Sequence, residues 1–121
     1  YQESVLKSHR TDGKALLMQV ASHQERWYTE NMSYASTMTA LGFPSDPQPS
    51  DSGHYTVSIL TPTQAQAAIA TPCPIATCFV AVATPVGGQV KDGKLAVTST
   101  GATYHDANNN GSYGDGGEKG W

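Results

Sequence analysis

The positions Leu16, Val20, His23 and Trp27 recur at spacings of four, three and four, and Leu17, Ala21 and Tyr28 widen the stripe on the same side. A period near 3.6 predicts one long helix over residues 1–30. Gln2, Lys7, Arg10, Lys14, Gln19 and Arg26 supply much of its polar remainder. Gly13 costs about 1 kcal/mol relative to alanine inside a helix. Thr11 and Asp12 just before it have capping side chains, so the pattern allows a bend there.

Residues 31–53 lose this period. A short helix is expected from a Ser36 cap to Leu41, ended by Gly42. Three prolines with serines and aspartates over 43–53 then read as loop. From residue 54 the period changes to two. His54–Leu60 alternates, with Tyr55, Val57 and Ile59 on one face. Cys78–Thr84 is a continuous run of small apolar residues stopped by Pro85. Lys94–Thr98 alternates with Leu95 and Val97 inward, and Gly101–His105 makes a fourth strand. Gly87-Gly88 and Ser99-Thr100-Gly101 carry turn chemistry. The Ala-, Thr- and Pro-rich segment 61–75 has no clear period, and 106–121 is a Gly/Asn/Asp tail ending in Trp121. One helix, a loop and then antiparallel strands give an α+β fold, with the long N-terminal helix packed on a four-stranded antiparallel sheet.

Composition narrows the class. The chain has 121 residues, enough for a single domain over 1–121 that gains from a disulfide or metal staple. Apolar residues are 38% and charged residues 14%, which suits a secreted or surface domain with long loops. The net charge of −3 gives no bulk attraction for nucleic acid. Lys7, His9, Arg10 and Lys14 cluster near the start; a solvated helix face is the favoured reading and a local basic patch the alternative. No apolar run is long enough to span a bilayer.

Two elements carry chemistry. Cys73 and Cys78 fit a disulfide in an oxidising compartment, with Pro72 and Pro74 favouring the turn that brings them together; free thiols are the alternative. Asp106, Asn108 and Asn110, followed by Gly111, place hard oxygens at spacing two before a sharp turn, as at the opening of a calcium loop. A carbonyl near Ser112 or Tyr113, then Asp115 and Glu118, complete the candidate shell. The EF-hand pattern fails at its end, where position twelve is Gly117. A structural calcium site and a solvated, flexible tail both remain open. The four histidines form no HxxxH or HExxH pattern, and His23 reads as a packing residue. No GxSxG elbow and no glycine-rich phosphate loop are present, so the chain is not expected to be an enzyme. Trp27, Tyr28, Tyr34 and Tyr55 are expected between helix and sheet, with Tyr104, Tyr113 and Trp121 near the C-terminal edge.

Six segments in this order resemble the type IV pilin family, most closely a minor pilin of the PilE type. They are SVLKSHRTDGKALL at 4–17, QERWYTEN at 24–31, Tyr34 with Leu41-Gly42, HYTVSI at 54–59, the run from Phe79 to Gln89, and LAVTSTG at 95–101. The likeness covers roughly residues 1–104. It implies a pilin head with an αβ-loop at 31–53, preceded by an apolar half-helix that anchors the subunit in the inner membrane. Its expected partners are other pilin subunits and the pilus assembly machinery, and its expected places are the periplasmic side of that membrane before assembly and the extracellular pilus after it. The implied role is to prime fibre assembly and join a fibre serving attachment, motility or DNA uptake. PilE-type subunits usually close the C-terminal loop with a cysteine before the third strand and another beside a terminal tryptophan. Asp92 or Gly93 and Gly120 stand near those positions, so that staple is lost. The candidate calcium loop resembles that of type II secretion pseudopilins, which also lack the disulfide. Alternatives are a major pilin, such a pseudopilin, and a tip adhesin or DNA-binding module; composition argues against DNA without excluding it.

Overall fold

A computed structural model describes residues 3–69, 72–87, 89 and 93–105. The first element is helix α1 (Glu3–Asn31), continuous for 29 residues. The sequence allowed a bend at Gly13, and none interrupts the helix. Instead Gly13 is the point of closest approach to the sheet. A Cβ placed on it would lie 2.9 Å from Tyr55 Cδ1 and 3.2 Å from Leu95 Cδ1. Glycine trades helix propensity for proximity here. Leu16, Leu17 and Val20 are buried on the same side, and so is Gln24.

Where a short helix was expected at 36–41, the chain makes consecutive tight turns. Thr37, not Ser36, caps them, accepting from Ala40 N–H at 3.2 Å. Gly42 (φ 99°) ends them, its N–H bonding Thr39 O while Phe43 N–H bonds Met38 O. Those two bonds are the Schellman pairing of a helix end, and they need a left-handed residue at Gly42. The turns deliver Ala35, Met38 and Leu41 into the main core.

The sheet has five strands, not four, in sequential order: β1 (Gln48–Pro49), β2 (Tyr55–Ile59), β3 (Val80–Pro85), β4 (Leu95–Thr98) and β5 (Thr103–His105). All neighbours are antiparallel. The extra strand is the two-residue β1, pairing Gln48 with Val57 on the sheet edge, where proline is tolerated. Tyr55, Val57 and Ile59 point to α1 together with Ala81, Ala83, Leu95 and Val97. Val80, Val82 and Ala96 point to the other face.

That second face is covered by helix α2 (Pro62–Ile69), which lays Ala65 and Ala68 on it. The unperiodic segment 61–75 thus holds regular structure. Thr61 and Gln64 bond reciprocally, Gln64 N–H to Thr61 Oγ1 at 3.2 Å and Thr61 N–H to Gln64 Oε1 at 3.0 Å. This is a capping box, followed by proline at the first helical position. Burial on both faces explains why 78–84 reads as a continuous apolar run rather than an alternating one. Among the described residues, no helix is long and apolar enough to cross a membrane.

Candidate nucleic-acid interface

Two surfaces flank the sheet. The first lies where α1 meets the turn before β2. Asp12 accepts from the Ser50 hydroxyl, from Ser52 N–H at 3.1 Å and from His54 N–H at 3.3 Å. Ser50 in turn accepts from Tyr55 N–H at 3.1 Å. Asp12 therefore ties the turn to the helix rather than capping a bend. The His9 and His54 rings stack beside it, 3.5 Å between centroids and 10° from parallel. His9 Nδ1 lies 3.0 Å from Gln89 Oε1, and Gln89 Nε2 donates to the Tyr55 hydroxyl at 3.0 Å. An amide oxygen only accepts, so that His9 nitrogen carries the proton. Lys7, Arg10 and Lys14, spaced three and four apart, share the flank of α1 away from Asp12.

The second surface lies on the α2 side. Cys73 and Cys78 form a disulfide with a Cα separation of 5.0 Å. The loop it closes is wound tightly, with Thr77 N–H and Cys78 N–H both donating to Pro74 O, at 3.0 and 2.8 Å. Ser99 N–H bonds Phe79 O at 3.1 Å, holding the β4–β5 turn against this loop. Gly101 (φ 85°) closes the turn, bonding Thr98 O. Between loop and turn runs a groove of about 390 Å³. Ile69, Cys78 and Tyr104, packed on the second apolar cluster, line it. Thr77, Thr98, Ser99 and Thr100 also line it, and the hydroxyls of Thr98 and Thr100 bond each other at 2.9 Å.

The residues singled out in the sequence distribute as follows. His23 is a satisfied packing residue, with Nδ1 on Leu41 O at 3.1 Å and its ring stacked on Phe43. Tyr55 is fully buried, and Trp27 and Tyr34 pack against the same core. Tyr28 departs from expectation: it is 38% exposed, with its ring packed on Tyr34, centroids 4.7 Å apart. Burial, the Glu25 carboxylate and Tyr28 together hold the Tyr34 phenol above its ordinary value. Tyr104 sits on the second cluster. The calcium candidates Asp106, Asn108, Asn110, Ser112, Asp115 and Glu118, with Tyr113 and Trp121, lie outside the described residues. No group of three or more His, Cys, Asp or Glu side chains suited to a metal occurs among the described residues.

Sequence reasoning missed Gln24 and Gln89, both almost fully buried. Gln24 falls one position after His23 in the α1 stripe, and that placement was its available signal. The hydroxyl groove had no local signal, because its two sides come from distant segments.

Residues 1–96 match the family described as type IV minor pilin ComP, DNA uptake sequence receptor. The chain belongs to the ComP family of type IV minor pilins. No curated protein matches the chain at a significant level. The ComP match spans α1, the αβ-loop, α2 and the sheet into β4, so it rests on the whole helix-on-sheet body rather than on a single motif. A ComP-family minor pilin is a structural subunit and not a catalyst. The family description also names a nucleic-acid partner, against which the chain's net charge had argued.

Proposed function

We propose that this chain is the DNA receptor subunit of a type IV pilus, binding DNA outside the cell for uptake. The observation that carries this reading is the match of residues 1–96 to the ComP family. Two features support it. The disulfide-tied loop and the β4–β5 turn present a groove of mixed apolar and hydroxyl-bearing residues, and α1 carries a cationic flank. Neither resembles a reaction centre.

On this reading the subunit is held in the inner membrane by an N-terminal half-helix before assembly. It helps prime fibre growth and then joins the fibre through the αβ-loop (31–53) and the C-terminal region (85–121). We also propose that Asp106, Asn108, Asn110, Asp115 and Glu118, with a carbonyl near Ser112, bind calcium in place of the C-terminal disulfide usual in PilE-type pilins. Hard oxygens at spacing two followed by glycine support this.

The deciding experiment is direct binding of labelled duplex DNA to the purified chain, followed by fluorescence anisotropy. Saturable binding supports a receptor. No binding at any salt concentration refutes it. Mass spectrometry of sheared fibres then checks the role in the pilus: trace abundance fits a minor subunit, and absence from fibres removes incorporation.

A further inference from the structure

Helix α1 ends on Asn31, and Asn31-Met32-Ser33 has the pattern N-x-S with no proline in the middle. In a domain outside the cytoplasm, an asparagine amide in that pattern is an acceptor for N-linked sugar. Two findings point to such a compartment: the Cys73–Cys78 disulfide and membership of a type IV pilin family. A second triplet of the same form, Asn110-Gly111-Ser112, lies outside the described residues.

We propose that Asn31 is a site of N-linked glycosylation. The end of α1 suits an acceptor. Asn31 and Met32 are both exposed, Met32 by 82%. Met32 has φ 56°, the left-handed value that ends a helix, and its N–H closes the last turn on Tyr28 O at 2.8 Å. Ser33 therefore stands outside the helix. Helix ends fray, so the triplet can open into a transferase without disturbing the core. The bonds to be released are weak. Asn31 Nδ2 donates to Trp27 O at 3.0 Å in an exposed position, and the Ser33 hydroxyl meets Tyr34 O at 3.3 Å, long for a hydroxyl donor.

The surface around Asn31 is an independent observation. Tyr28 lies one turn back on the same side of α1 and is 38% exposed, and Met32 follows directly. Two large apolar side chains thus stand in water beside the amide. The first sugar on Asn31 covers them with its C–H faces, which is a use for apolar surface that the fold leaves open. In the transfer, the amide nitrogen bonds to the anomeric carbon of a sugar carried on a lipid diphosphate. The bond from that carbon to the phosphate oxygen breaks, the lipid diphosphate leaves, and the amide gives up one hydrogen as a proton. Asn31 is the first residue of the αβ-loop, so the sugar sits at the start of the proposed subunit contact and leaves the rest of the loop uncovered.

The test is peptide and intact-mass spectrometry of the native chain recovered from the cell that makes it. Asn31→Gln, Ser33→Ala and Ser33→Thr are run beside it, with thermal melting as the folding control. The peptide that holds Asn31 should exceed its bare mass by whole sugar residues, and enzymatic release should leave an aspartate in place of Asn31. Asn31→Gln and Ser33→Ala should each lose the added mass. Ser33→Thr should keep it, because threonine satisfies the same pattern. An Asn31 peptide at its bare mass in the native chain overturns the proposal. Sugar confined to Asn110 or to a Ser or Thr hydroxyl overturns it too, as does added mass on this peptide that survives Ser33→Ala. None of these results bears on the receptor reading, which rests on DNA binding.

Discussion

The Gln24 side chain holds both main-chain groups of Ala35, donating to its carbonyl at 2.8 Å and accepting from its N–H at 2.8 Å. A fully buried polar side chain thus stands in for a strand neighbour and fastens the αβ-loop to α1. Gln24→Leu keeps similar bulk but leaves two buried backbone groups unpaired. Each such group costs about 1–3 kcal/mol. Urea unfolding should show a loss of about 2–4 kcal/mol on the same principle, with no change in the m-value. A loss no larger than that of an exposed control such as Gln19→Leu would refute the clasp.

Gly13→Ala sets two effects against each other. Alanine improves helix propensity by about 1 kcal/mol. Its Cβ, however, would sit 2.9 and 3.0 Å from the Tyr55 ring and 3.2 Å from Leu95, both fully buried. Overpacking of this kind costs about 1–3 kcal/mol. The net expectation is a lower melting temperature. Gly13→Ala should cost less in a Tyr55→Leu background than in the native one, because the clash is with the ring. A rise in melting temperature for Gly13→Ala alone would show that the helix has room to move off the sheet.

Tyr34 should make stability fall in alkali. Burial first, then Glu25 and Tyr28, hold its phenol above the ordinary value of 10.0. The folded protein therefore binds this proton more tightly than the unfolded chain does. The corresponding stability is complete below the ordinary value and is lost as pH rises from it through the folded one. Tyr34→Phe removes the titration while keeping the edge contact with Phe79. Chemical denaturation on either side of pH 10 should show a shallower alkaline decline in the variant. Parallel declines would mean that Tyr34 ionises alike in both states.

The parts of the fold that were legible are those with a strong local period. A helical stripe of large apolar residues identifies α1, and alternation identifies β2 and β4. Alanines carry too weak a hydrophobic contrast to reveal α2, although the Thr61-Pro62-Thr63-Gln64 start was readable as a capping box. Two residues with a proline do not make a strand pattern, so β1 reads as loop in the sequence. Gln24 and Gln89 are polar side chains whose burial depends on partners far along the chain, Ala35 in one case and His9 and Tyr55 in the other. The Cys73–Cys78 pairing was legible because its geometry is local. The groove was not, because residue 77 and residues 98–104 meet only through the strand pairing of β3 with β4.

The C-terminal segment supplies the last prediction. Asp106, Asn108 and Asn110 alternate before Gly111, and Asp115 and Glu118 follow. Oxygen ligands in this order suit calcium, and no cysteine follows Cys78 to staple this segment. A site occupied at 100 times its dissociation constant adds about 2.7 kcal/mol, comparable with the 2–4 kcal/mol or so that a disulfide contributes. Calcium should therefore raise the melting temperature of the native chain, and a chelator should reverse the rise. Asp106→Ala with Asp115→Ala should abolish the calcium response and lower fibre number. Magnesium at equal concentration should act more weakly, because it demands a tighter octahedral shell. Melting of the native chain that is indifferent to calcium would refute the site, leaving the two acidic positions as solvated tail residues.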